Sequence, residues 1–286
     1  MTSPGTARRL WALAEPYHAL IYFAAEPRAA AEARGLRGFW RGYFAFRAAP
    51  LGSVGPELVT AAFYNFAPGF VARALPQVWD VVPPAQALEA RLVGVDGAVR
   101  RAVDDAWVGS SESREAAELA GAAAAAVDLP GRPMAAANRA LPVPDEPHLA
   151  LWQALSTLRE HRGDGHNAAL LQRQISAVEA HVLAVAAGRT TREWLQPARG
   201  WDDAAWDDAV HRLTERGWLE GEDLSPEGLA MVAAVEADTD RLALPPWQAL
   251  GDARCDRLAE LLAPVRRSVV AAGDWATGNP IGAPEP

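Results

Sequence analysis

Strict alternation of apolar and polar positions, the mark of a half-buried strand, is nearly absent from this chain. Apolar residues recur at helical spacing instead, in a background dominated by Ala, Leu and Arg. Residues 149–162 put Leu151, Leu155 and Leu158 with Trp152 on one face, and predict a helix. Gly163-Asp164-Gly165 predicts its end. A second helix follows over 166–187, with Leu171, Ile175, Val178, Val182 and Val185 at helical spacing and Gly188 at C′. Short helices come next over 190–199 and 202–216, the latter stopped by Gly217. Trp218 to Gly228 reads as a small hairpin leading into a helix from Pro226 to about Leu242. Earlier, Ser113–Ala126 is a low-complexity helix containing five consecutive alanines. The fold class is all-α with a small β wing.

Proline density marks the organisation. Leu129-Pro-Gly-Arg-Pro133 and Leu141-Pro-Val-Pro-Asp-Glu-Pro147 interrupt the helical pattern. The expected division is an N-terminal helical, aromatic-rich domain over 1–128, a Pro-rich linker over 129–147, a second domain over 148–277 and an extended tail over 278–286. A faint repeat suggests tandem helical halves. Glu15-Pro-Tyr-His-Ala-Leu20 resembles Glu146-Pro-His-Leu-Ala-Leu151, each opening a helix, and Val71-Ala-Arg73 with Trp79 resembles Val210-His-Arg212 with Trp218.

Composition narrows the class further. The 286 residues hold one cysteine, Cys255, which excludes an internal disulfide and a multi-cysteine metal site. No apolar run is long enough to span a bilayer, and Met1 to Arg9 leads into no signal peptide, so the expected compartment is the cytoplasm. All 27 basic residues are arginine. The net charge is −9, and residues 201–250 alone, with three Arg against twelve acids, carry an excess of that size. All seven Phe and four Tyr lie between Tyr17 and Phe70.

Leu213-Thr-Glu-Arg-Gly-Trp-Leu219 and Leu224-Ser-Pro-Glu-Gly228 resemble the helix end, wing and following helix of the MarR group of winged helix-turn-helix regulators, over about residues 190–245. Glu15-Pro-Tyr-His-Ala-Leu-Ile-Tyr-Phe23, Gly38-Phe-Trp-Arg-Gly-Tyr-Phe44, Arg159-Glu-His-Arg-Gly-Asp-Gly-His166 and Asn279-Pro-Ile-Gly282 widen the resemblance to MarR-related helix-turn-helix proteins of actinobacteria, the SalDA-like family. That resemblance implies a MarR-like winged helix in at least the second half. It implies no settled activity.

DNA binding is doubtful on charge. A recognition helix lies against phosphates and base edges and normally carries Arg, Lys, Asn, Gln or Ser at its start. Here the helix reads Trp201-Asp-Asp-Ala-Ala-Trp-Asp-Asp, and the short wing carries Glu220, Glu222 and Asp223. Each opposes the phosphate attraction that supplies most DNA affinity. Arg28, Arg34, Arg37, Arg41 and Arg47 are either solvated arginines or a basic face.

Candidate chemistry gathers at Glu160-His-Arg-Gly-Asp-Gly-His166. With a helix break at 163–165, His161 would sit at a helix C-terminus and His166 at a helix N-terminus, with Asp164 as the cap between them. Two histidines of different protonation preference and a carboxylate suit acid–base work, and a capped helix corner is the plain structural alternative. His18, placed near a helix N-terminus by Pro16, is a further candidate. Tyr17, Trp40, Tyr43, Phe44, Phe63 and Tyr64 are candidate ligand-binding aromatics, Arg41, Arg47 and Asn65 could orient a ligand among them, and Arg162 would hold an anionic or carbonyl group. No metal is assigned and the cofactor is unknown; haem or a metal at His161 and His166 is the lesser alternative. Gly-x-Ser-x-Gly, P-loop and dinucleotide fingerprints are absent. The reading is a small-molecule-binding protein of specialised metabolism, leaning to an acid–base or cyclisation enzyme, and present as a monomer or homodimer. The competing reading is a ligand-responsive transcriptional regulator.

Overall fold

The computed structural model describes residues 2–275, so the expected tail over 278–286 and the Asn279–Gly282 motif lie outside the described residues. The first part of the chain folds as α1 (Pro4–Phe23), α2 (Ala25–Ala33), α3 (Phe39–Ala48), α4 (Pro56–Phe63), α5 (Pro68–Val71), α6 (Val78–Val81), α7 (Pro84–Ala102), α8 (Asp105–Val108) and α9 (Ser111–Ala125). Then come α10 (Pro133–Arg139), α11 (Pro147–Gln172), α12 (Ala177–Ala186), α13 (Arg192–Arg199) and α14 (Asp203–Glu215). A hairpin of β1 (Leu219–Glu220) and β2 (Asp223–Leu224) precedes α15 (Pro226–Leu242), α16 (Pro245–Leu250) and α17 (Asp252–Ala271). The fold is all-α with one two-stranded antiparallel sheet, in which Leu219 pairs with Leu224 and Glu220 with Asp223. No described helix is long and apolar enough to cross a membrane.

Many helix starts are legible as caps. The side chains of Asp104, Ser110, Ser176, Thr191, Asp202 and Ser225 each accept a backbone N–H of the following turn. Ser176 and Glu179 complete a capping box. Gly188 and Gly217 take positive φ just past α12 and α14, and α15 runs over the residues its pattern predicts.

Four local expectations differ. Pro16 lies inside α1 and does not open a helix. Burial of Ala14 to Ile21 outweighs the missing donor, which costs roughly 3 kcal/mol. The segment 129–147 is no plain linker, because it carries α10. Most consequentially, Gly163-Asp164-Gly165 does not break the chain, and α11 runs unbroken for 26 residues. Two interior glycines cost about 1 kcal/mol each, but packing on both sides of the helix compensates. The helix expected over 166–187 is in turn divided at 173–176, where Gln174 takes φ 54°, so Leu171 ends α11 pointing outward, 62% exposed, and off the face of Ile175, Val178 and Val182.

Two hydrophobic cores result, and they do not divide at residues 128 and 148. One joins α1–α10 to Leu149–Leu158 of α11 and to α16 and α17. The other joins Ala169 and Leu170 of α11 to Ile175, Val178, Val182, Trp206, Leu213, Trp218 and Val235. Helix α11 serves both cores. Between its two apolar ends lies Arg159-Glu-His-Arg-Gly-Asp-Gly-His-Asn167, a polar stretch in the middle of a largely buried helix.

Candidate functional site

A buried polar stretch must find partners, since an unpaired charge in low dielectric is costly. Glu160 meets Arg47 of α3 in a bidentate pair at 3.0 and 3.1 Å and also accepts from Arg159 at 3.1 Å. Burial would raise the Glu160 carboxyl, but Arg47 and Arg159 hold it at about 2. Arg159 also reaches Glu15 of α1 at 3.4 Å. Arg162 stacks 4.3 Å from the Trp11 ring and donates to Asp240 of α15 at 2.7 Å. Arg189 pairs with Glu236 at 2.8 Å.

These groups line a cavity of about 200 Å³ at the junction of the two cores. Its apolar wall includes Phe63, Ile175, Leu183 and Val235, and its polar wall includes Asn65, Asp164, His166, His181 and Thr239. Asp164 Oδ2 accepts the Ala135 N–H at 2.9 Å, so it caps α10 in space where the sequence reading had it capping its own helix. Burial raises its carboxyl to about 7, with the Ala135 N–H pulling the other way. His166 Nδ1 lies 3.0 Å from Thr239 Oγ1, and burial lowers its pKa. His181 Nε2 donates to the Asn65 carbonyl at 2.8 Å. Burial and the nearby Arg199 bring the His181 imidazole down to about 3, so the ring is neutral.

Of the residues singled out from sequence, Asp164, His166, Arg162, Phe63, Arg47 and Asn65 line this cavity, and His161, His18, Tyr17, Trp40, Arg41, Tyr43, Phe44 and Tyr64 do not. His161 turns away from it. Its Nε2 meets Asp128 at 2.6 Å and its carbonyl accepts from Arg132 at 2.7 Å. His18 is buried against Trp152, with Nδ1 on Ser156 and Nε2 on Tyr22. Tyr17 donates to the His148 carbonyl at 2.9 Å and packs edge-on to Trp107. Trp40, Tyr43 and Phe44 form an aromatic core with Phe66 and Phe70, which is the packing alternative to a ligand pocket. Tyr64 takes φ 63° and donates to the Ile175 carbonyl at 2.5 Å, tying α4 to the second core. His161 and His166 thus serve partners on different elements, which removes the basis for a shared haem or metal site. Among the described residues, no three His, Cys, Asp or Glu side chains are grouped to hold a metal.

Sequence reasoning passed over His181, Arg189, Glu236 and Thr239 as site residues, whereas it marks Arg47 and Asn65 as groups that could orient a ligand. His181 carried a signal, being the one histidine in the otherwise apolar stretch Ala180-His-Val-Leu-Ala-Val185. Arg189, Glu236 and Thr239 carried none, because they lie on α15 and the loop after α12, far in sequence from the groups they join.

The helices α13 and α14 meet at Gly200, in the left-handed region at φ 75°, and the hairpin follows α14. Asp202, Asp203, Asp207, Asp208, Glu220, Glu222 and Asp223 are all exposed. The side chains of Asp203 and Asp207 are 84% and 66% exposed, each within reach of Arg192. Helices α13 and α14, the turn at Gly200 and the hairpin follow one another as a unit with an acidic, exposed side. The chain belongs to a helix-turn-helix family, whose model matches residues 7–276. No curated protein and no solved structure matches it.

Proposed function

We propose that this chain binds a small organic molecule in the cavity at the junction of its two cores, on a MarR-like winged-helix scaffold whose DNA-facing side has turned acidic. The observation that carries the reading is that one cavity is lined both by a carboxyl poised near neutrality, Asp164, and by an imidazole that burial keeps neutral, His166. Asp164 and His166 then act as acid and base on the bound molecule, in proton transfer or cyclisation. Mass spectrometry of the purified, denatured chain tests this. An organic molecule is released from the wild type and is lost from Ala184→Phe, which fills the cavity wall. Equal release from both would place the molecule elsewhere.

A ligand-responsive DNA-binding regulator is the second reading, favoured by the exposed α13–α14–hairpin unit and the family. The discriminating measurement is retention of genomic DNA fragments at low and moderate salt. Aspartates where phosphates must approach predict no retention at either salt. Site-selective, salt-sensitive retention would instead establish the regulator.

A further inference from the structure

Two of the polar atoms that line the cavity without a partner are imidazole acceptors. Thr239 Oγ1 gives its single proton to the Val235 carbonyl at 2.7 Å. Toward His166 Nδ1, 3.0 Å away, it can therefore only accept. That places the ring proton of neutral His166 on Nδ1 and leaves Nε2 as a lone-pair nitrogen. His181 is the mirror case: Nε2–H is committed to the Asn65 carbonyl at 2.8 Å, so Nδ1 carries the lone pair. Neither nitrogen makes a hydrogen bond among the described residues, and both rings line the cavity.

The charges, by contrast, are already spent. Arg47 and Arg159 pair with Glu160, Arg162 with Asp240, and Arg189 with Glu236. An ionic ligand would compete with these partners for groups that are already paired, a cost that an uncharged ligand avoids. Size sets the last bound. A cavity of roughly 150 Å³ admits one benzene, and this one is about 200 Å³.

Resting on the cavity reading above, we infer that the ligand is an uncharged, single-ring hydroxylated aromatic whose two hydroxyl donors are read by His166 Nε2 and His181 Nδ1, with the ring against Phe63 and Val235. Anions and ring compounds without donors are discriminated against. They gain the same apolar contact but leave two buried acceptors unpaired.

The test titrates three probes into the full chain: 1,3-dihydroxybenzene, 1,3-dimethoxybenzene and benzoate. The readouts are the methyl signals of Ile175 and Val235 and the imidazole nitrogen signals of His166 and His181. The dihydroxy probe should move all four and bind at least about tenfold tighter than the other two, the equivalent of one to two net hydrogen bonds. His166→Leu and His181→Leu should each erode that preference while dimethoxybenzene still moves the methyls. If dimethoxybenzene or benzoate moves the methyls and binds as tightly as the dihydroxy probe, the donor reading is overturned and the cavity reading stands. If no probe moves the methyls, both fall.

Discussion

Asp164 is a carboxyl under two opposed demands. Burial favours the neutral acid, while the Ala135 N–H it accepts favours the anion, and the balance settles at about 7. An aspartate in an unfolded chain ionises near pH 4. Between those values the folded state binds the extra proton. The stability Asp164 contributes is therefore complete below about pH 4 and is lost as pH rises through about 7. Asp164→Asn keeps an acceptor for Ala135 and cannot ionise. Urea midpoints from about pH 5 to about pH 8 should show the variant gaining on the wild type, by on the order of 2–4 kcal/mol at the upper end. Two parallel pH profiles would mean that this carboxyl is not held near neutrality. The residue was visible in the sequence as a carboxylate between histidines. Its partner, thirty residues upstream on α10, was not.

Helix α11 shows how packing overrides local propensity. Its two glycines look alike in sequence and differ in the fold. A Cβ on Gly163 would meet nothing nearer than Glu160 Oε2 at 3.7 Å. A Cβ on Gly165 would lie 3.0 Å from the Arg132 guanidinium and 3.1 Å from Leu242 Cβ. Arg132 cannot readily retreat, because it is bonded to the carbonyls of His161 and Leu242 at 2.7 and 2.8 Å. Gly163→Ala should stabilise by about 0.5–1 kcal/mol through helix propensity, and Gly165→Ala should destabilise by about 1–3 kcal/mol through overpacking. Thermal melts decide, and shifts of the same sign would refute the distinction. The stop signal read at 163–165 was a sound local inference that tertiary contacts overruled. The same contacts put Glu160, Asp164 and His166 on one continuous helix.

Across the whole molecule, the α13–α14 pair is fastened to the N-terminal region at its turn. Ala67 N–H donates to the Arg199 carbonyl at 2.9 Å, and Trp201 Nε1 donates to the Asn65 carbonyl at 3.2 Å. Gly200 admits the Phe70 side chain so closely that a Cβ would stand 2.3 Å from it. Gly200→Ala meets both that clash and the left-handed backbone, and should cost more than about 3 kcal/mol. Gly188→Ala shares the positive φ without any neighbour within 4 Å, and should cost only about 1 kcal/mol. Chemical denaturation of the two variants separates them, and equal losses would show that the Phe70 contact carries no energy. Because Asn65 also bonds His181, the cavity wall and the turn before α14 share one carbonyl.

Helical periodicity, cap residues and glycines after helix ends are local properties, set by spacing and by hydrogen bonds within a few residues. They sufficed for the all-α class, for α13–α15 with their hairpin, and for the acidic character of α14 and the hairpin. Asp164, His166, Arg162, Phe63, Arg47 and Asn65 were also marked as candidates from residue type and neighbourhood in sequence. The rest required distant segments to meet. Arg47 reaches Glu160 across 113 positions and Thr239 reaches His166 across 73. Tertiary packing also sent His161 and His18 to partners of their own, and used the aromatics of α3 to fill a core. A side chain's role there depends on which neighbours exclude water from it, and that is decided only when α11 is placed between two cores.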